Sequence, residues 1–253
     1  MITFAYEPGT QKKDMKEFFE LLPFVLPCKY CRSNLVEHYE KLPVSSALGS
    51  RAALTKWLYE IHNLVNAKLR SQEMAVDPDP PFEAVQTHYK ERLAYGCSKT
   101  FFPGWEFLFS IVESHPLRKE EIPHPFSGAP SLDTIDSSDK AALLRWNYLP
   151  RQTRYEMVSH FWKLLPLVLP FEEWKTLWKQ TASSTFPKNK EVAFRSLWKT
   201  RKEFEDELEL LNKTTYHDLC KMIRYYKSGC ASSRSTTKTC RRLRNSTRKQ
   251  NRK

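Results

Sequence analysis

The sequence predicts an all-α protein: a bundle of four or five helices, a second helical domain behind it, and a basic tail. Three observations carry that expectation. Between Arg51 and Arg70 the apolar residues Leu54, Leu58, Ile61, Val65 and Leu69 recur at spacings of three and four, the period of a helix with one buried stripe. The 253 residues include 16 Pro and only six Gly, with 13% aromatic and 40% apolar content, which describes a compact chain. Leu21–Pro27 returns as Leu164–Pro170 at an offset of 143, so the helical pattern starts twice.

Each element has its own local signal. Asp14 to Leu22 reads as an amphipathic helix that ends near Pro23 and Pro27. A second helix runs from Cys28 to about Tyr39, with Pro43 beyond its end. Ser50 is a good N-cap for the third, because a serine hydroxyl accepts from a backbone N–H that the helix leaves unpaired. Asp77-Pro-Asp-Pro-Pro81 is a stiff loop, and Phe82 to Ala94 is a fourth helix ending before Gly96-Cys97. Short connections between four helices indicate a bundle.

The second start extends past the heptapeptide. Phe18 falls on Phe161 in the same register, Arg51–Trp57 has a loose echo in Glu191–Trp198, and Tyr89 to Cys97 is echoed by Tyr225 to Cys230. Three echoes in one order suggest an ancient duplication. In the second copy Phe171 and Trp174 stand where the first has Cys28 and Cys31. The expected divisions are 1–99, 100–227 for a degenerate, non-catalytic copy, and 228–253 for a tail too polar to fold.

Composition bounds the function. Six cysteines are too few for a disulfide scaffold in a chain this long. No apolar run reaches the 18 or so residues of a membrane span. The first residues lack a basic-then-apolar leader, which places the chain by default in the cytosol, where a C-x-x-C is catalytic or metal-binding. The net charge of +12 is concentrated: Lys221–Lys253 holds 12 Lys and Arg and no acid, while the rest balances 29 against 29. Such a tail suits nonspecific contact with nucleic acid, or serves as a solubilising or anchoring tail.

Two motifs carry chemistry. Cys28-Lys-Tyr-Cys31 stands at the start of a helix, where unpaired N–H groups and the helix dipole favour a thiolate. The alternative is half of a zinc site, which needs two more ligands, and His38 and His62 sit alone on their helices. The second motif is Trp57, His62, Asn63, Val65, Asn66, Lys68 and Leu69 on the third helix. One His and two Asn within five helical positions cost about half a kcal/mol each relative to Ala, so their clustering suggests a site.

The two motifs in this order resemble the Erv/ALR family of FAD-linked sulfhydryl oxidases, over roughly residues 4 to 97. The resemblance implies a disulfide-forming enzyme that passes electrons to O2 and yields hydrogen peroxide, with Cys28 meeting the substrate thiol and Cys31 facing the flavin. It implies FAD contacts from Trp57, His62, Asn63, Val65 and Asn66, with Lys68 near a phosphate and Tyr89 bordering the flavin. It implies protein thiol substrates, thioredoxin-like ones among them, and a homodimer unless the second domain supplies that contact. Cys230 and Cys240 in the tail could serve as a shuttle pair.

The chain departs from the family in two places. The family's opening G-P-x-x-W-x-x-L-H segment would fall before Met1, so the N-terminal helix reads as truncated, and Cys97 lacks a near partner for the family's structural disulfide. The single-Cys fourth helix and the appended domain look most like versions carried by large DNA viruses, which sets the expected location as host cytoplasm or virion. The rival reading is a nucleic-acid-binding protein with a structural or zinc-binding C-x-x-C.

Overall fold

In the computed structural model the described residues are 1–74, 76–94, 101–117, 124–209 and 213–230, with side chains through 223 in the last segment. They are all-α, with ten α-helices, a few 3₁₀ turns and no strand among them. In chain order these are α1 Pro8–Val25, α2 Lys29–Lys41, α3 Arg51–Ser71, α4 Phe82–Ala94, α5 Trp105–Glu113, α6 Lys140–Arg145, α7 Arg151–Val168, α8 Glu172–Thr181, α9 Lys190–Glu207 and α10 Tyr216–Cys230.

α1 is longer than its amphipathic stretch suggests. Pro8 opens it, where a missing N–H and a preset φ do no harm. The helix passes through Pro23 and closes with Leu26 N–H donating to the Leu22 carbonyl at 3.2 Å. A proline this close to the end removes one bond from a turn that was ending anyway, so the helix stops at Val25, between Pro23 and Pro27 as expected. α3 begins as expected, with the Ser50 hydroxyl accepting from Ala53 N–H at 3.1 Å. α4 has the expected bounds.

The stiff loop after α3 is pinned to it by side chains. Tyr59 OH donates to the Pro80 carbonyl at 2.8 Å, and Arg70 pairs with Asp79 at 2.6 Å.

α7 repeats α1 in length and in its proline, here Pro166, and α8 begins as far behind α7 as α2 behind α1. The contact between α1 and α7 is the most extensive in the molecule. One buried apolar cluster runs from Tyr6 through Trp57 and Trp105 to Ile223, so the two halves share a core. In the second half Phe102, Trp105, Trp174 and Phe204 pack ring to ring, with centroids between 4.6 and 5.5 Å apart. None of the described helices is long and apolar enough to cross a membrane.

Candidate active site

Pro27 ends the extended link after α1, and Cys28 follows as N-cap of α2 with an extended backbone, φ −86° and ψ 126°. The Cys28 carbonyl accepts from Arg32 N–H at 3.0 Å and starts the helix, which puts Cys31 in its first turn. A negative sulfur in that turn meets N–H groups with no helical partner and the positive end of the dipole. Two guanidinium groups add to the field. Buried Arg32 donates through Nη1 to the carbonyls of Leu26 (2.9 Å) and Pro27 (3.0 Å). Arg154 of α7 donates to the carbonyls of Phe24 (3.0 Å) and Leu26 (3.4 Å). The cysteine turn is therefore held by its own helix and by the second half. Cys28 is 7% exposed and Cys31 half-buried.

The rim of this turn was not foreseen. Tyr30, 52% exposed, stacks on Phe126 at 5.1 Å and 26°, and Lys29 Nζ lies 5.3 Å and 5.7 Å from the two ring centres. Phe126 is held in place by backbone and side-chain bonds around it. Its N–H donates to the Trp146 carbonyl at 3.3 Å, Asn147 Nδ2 to His124 O at 2.6 Å, and Tyr148 OH to Pro130 O at 2.8 Å. Pro and Gly between His124 and Pro130 mark a loop in the sequence, but nothing local pairs it with residues nearly a hundred positions earlier.

α3 spreads its motif around its surface. Trp57, 2% exposed, points into the core, its indole N–H donating to the Leu42 carbonyl at 2.9 Å and its ring edge-on to Phe19 at 5.0 Å. His62 is exposed, with Nδ1 2.6 Å from the Leu58 carbonyl. Asn63, Val65, Asn66 and Lys68 are half-buried. Asn66 donates to Asp79 at 2.7 Å, and Lys68 pairs with Glu37 of α2 at 3.2 Å. Glu37 also faces Arg145 at 3.8 Å, which ties α6 to this seam. Tyr89 of α4 stacks on Phe4 at 5.1 Å, and the α-amino group of Met1 is pushed down to about 6 by burial and by Arg92. α2 and α3 carry the two motifs side by side. Cys97 and Cys240 lie outside the described residues, as does the side chain of Cys230.

One residue missed by the sequence reading stands between the two motifs. His38 is 4% exposed on α2, and neither ring nitrogen has a hydrogen-bond partner among the described residues. Burial, with the charges of Lys68 and Lys41, holds its pKa below the ordinary histidine value despite the opposing charge of Glu37. A neutral imidazole offers one donor and one acceptor, and leaving either unsatisfied in the interior costs about 1–3 kcal/mol. Asn63 on α3 is half-buried. A dinucleotide cofactor with polar edges fits this donor and acceptor set. No group of three His, Cys, Asp or Glu among the described residues could hold a metal ion.

The class of protein is thus a helical bundle with a cysteine pair at a helix N-terminus, packed against a helix rich in polar, partly buried side chains. Residues 1–90 match the model of the Erv1 / Alr family. The chain is 46% identical over 50 residues to the protein of Acanthamoeba polyphaga mimivirus named "Probable FAD-linked sulfhydryl oxidase R368", covering 19% of this chain and 35% of that one. It is 36% identical over 67 residues to the mitochondrial FAD-linked sulfhydryl oxidase ERV1 of Saccharomyces cerevisiae, covering 26% and 34%. With the FAD-linked sulfhydryl oxidase ERV1 of Arabidopsis thaliana it shares 36% identity over 59 residues, covering 23% and 30%. The chain spans about a third of the length of these curated relatives. No solved structure matches it.

Proposed function

We propose that the first bundle is an FAD-linked thiol oxidase that forms disulfides in protein substrates through Cys28 and Cys31. The observation that carries this reading is the cysteine turn itself, a C-x-x-C at a helix N-terminus clamped by Arg32 and Arg154, on a helix whose buried His38 is unsatisfied among the described residues. His38, His62, Asn63, Asn66, Lys68 and Tyr89 would hold the cofactor, with Val65 packing against it and Trp57 fixing α3 from the core. Asn66 and Lys68 exchange their bonds to Asp79 and Glu37 when they do so.

A substrate thiolate attacks the Cys28 sulfur of the Cys28–Cys31 disulfide, forming a mixed disulfide and releasing Cys31 as a thiolate. A second substrate thiolate breaks the mixed disulfide, leaving the substrate oxidised by two electrons and the Cys pair reduced. The N–H groups at the start of α2 stabilise the Cys31 thiolate, which favours release at neutral pH. When bound, FAD would supply the two-electron acceptor for the reduced Cys pair and a route for those electrons to O2, giving H2O2. The net change is two thiols and O2 to one disulfide and H2O2. Host cytoplasm or virion is the compartment this reading implies.

The test is spectroscopic and kinetic. The purified protein should be yellow, carry FAD, and consume O2 when given dithiothreitol. A colourless protein that takes up no FAD and turns over no thiol sinks the proposal. For the tail, removal of residues 228–253 should leave dithiothreitol oxidation unchanged and abolish salt-sensitive retention on DNA. A loss of protein-thiol oxidation alone would instead assign Cys230 and Cys240 to a shuttle.

A further inference from the structure

The contacts between α1 and α7 obey an unexpected rule. Gln11 Nε2 donates to the Leu167 carbonyl at 3.3 Å, and Arg154 Nε donates to the Phe24 carbonyl at 3.0 Å. At the sequence offset of 143, Gln11 corresponds to Arg154 and Phe24 to Leu167. The two bonds are therefore one bond made twice, each copy giving the donor once and the acceptor once. Between them the pairs are self-matched. Phe18 stacks on Phe161 at 4.9 Å and 24°, and Glu17 Oε2 meets His160 Nε2 at 3.0 Å, both at the same offset. Reciprocal contacts flanking self-contacts are the signature of a twofold, isologous interface, in which residue i touches j′ and j touches i′. Two unrelated helices packed together have no reason to produce it.

The copies agree beyond the interface. α1 and α7 have equal lengths and carry Pro23 and Pro166 in the same place, and Cys28 and Phe171 are both extended N-caps. The side chains at the cap turn diverge in kind. Phe171 and Trp174 pack edge to face at 4.7 Å, and Trp174 meets Phe102 at 4.9 Å, so the second turn is filled with rings.

We propose that α7 to α9 are a degenerate second copy of the first bundle, seated within one chain where a symmetric partner subunit would sit. The α1 face is consumed internally, and the protein works as a monomer with one cysteine centre. The inert copy also contributes to that centre: Arg154, the counterpart of Gln11, reaches the carbonyls of Phe24 and Leu26 immediately before Cys28. Arg154 is a positioning residue for the cysteine turn. None of this depends on the oxidase reading.

Sedimentation equilibrium of the full chain should give the monomer mass of 29.9 kDa across a wide concentration range. Glu17→Cys/His160→Cys, treated with diamide, should form a 17–160 disulfide within one chain, identified by peptide mapping, without any increase in mass on a non-reducing gel. A concentration-dependent dimer of the wild-type chain, or a 17–160 disulfide that joins two chains at twice the mass, overturns the proposal. Arg154→Gln, which restores the residue of the first copy, should keep the monomer mass and shift the pH profile of thiol reactivity at the cysteine turn toward higher pH. An unchanged profile removes Arg154 from its positioning role.

Discussion

The N-terminal turns of α2 and α8 are built on the same frame and put to different uses. Both follow a helix that passes through a proline, then a Leu-Pro link, then an extended N-cap. In α2 the turn reads Cys28-Lys-Tyr-Cys31, with a half-buried sulfur and an exposed aromatic rim. In α8 it reads Phe171-Glu-Glu-Trp174, and Trp174 is 2% exposed. A tryptophan buries on the order of 200 Å² and strengthens the core around it. A cysteine leaves room for a reactant to approach and gives up that packing. One turn carries sulfurs and the other packed rings, on equivalent backbones.

The comparison breaks most sharply at the cysteines. Cys31→Ser should abolish thiol oxidation while changing stability by less than about 1 kcal/mol, since its volume and position are nearly kept. Oxygen consumption and a urea melt on one sample check both halves of that statement. Cys28→Ser should be equally inactive but leave Cys31 able to give a long-wavelength charge-transfer band with bound flavin. Finding that band in Cys31→Ser instead would swap the roles of the two sulfurs, which their relative burial makes worth measuring.

In the second bundle the effect is on folding. Trp174→Ala should cost about 3–5 kcal/mol in urea unfolding, the usual penalty for emptying a buried aromatic site. A cost below about 1 kcal/mol would show that the α8 turn is not the packing centre.

His38 sharpens the contrast in a different way. His38→Leu should leave the flavin-free protein as stable or stabilise it, because it removes two unsatisfied polar atoms, yet weaken FAD binding by about 1–3 kcal/mol. Asn63→Ala should weaken binding to a similar degree without the gain in stability. Tighter FAD binding in His38→Leu would place the imidazole away from the cofactor.

The same residue sets a pH dependence. Burial holds the folded pKa of His38 below 6.5, the ordinary value, so the unfolded chain binds the proton more readily. Its contribution is fully present above that value and is lost as pH falls toward the folded pKa, at no more than about 1.4 kcal/mol per pH unit for one group. His115, buried in the second half and also shifted down by desolvation, adds a slope of the same sign. Melts between pH 7 and pH 5 should lose part of this slope in His38→Leu.

The smallest effect is at the rim. Phe126→Ala removes one exposed stacking pair worth about 0.5–1.5 kcal/mol and should loosen the cover over the cysteine turn without reducing dithiothreitol oxidation. A large loss of small-thiol turnover would mean that Phe126 organises the turn itself.

Local rules made much of this molecule legible. Ser50 as a cap, the stripe Leu54-Leu58-Ile61-Val65-Leu69 and the bounds of α4 follow from interactions within a few residues, so sequence alone was enough for them. The cysteine pair and the α3 motif were also visible, because their residue types are costly or reactive wherever they occur. Pro23 and Pro27 bracket the end of α1 as expected, since a proline in the last turn removes a bond that the helix was about to lose anyway.

What no window of sequence could supply is long-range proximity. Arg154 lies 126 positions after Cys28, yet it clamps the turn in front of it, and Phe126 covers Tyr30 from a loop with no matching pattern. In the sequence His38 sits alone on its helix, and only the packed structure shows its ring buried and without partners among the described residues. The sequence by itself determined the helices and the residue chemistry, because these depend on local backbone preference and side-chain type. The tertiary structure decided which guanidinium groups hold the cysteine turn, which polar atoms are left unsatisfied, and that α7 meets α1 through reciprocal contacts. Those depend on distance and dielectric, which the chain acquires only when its helices pack.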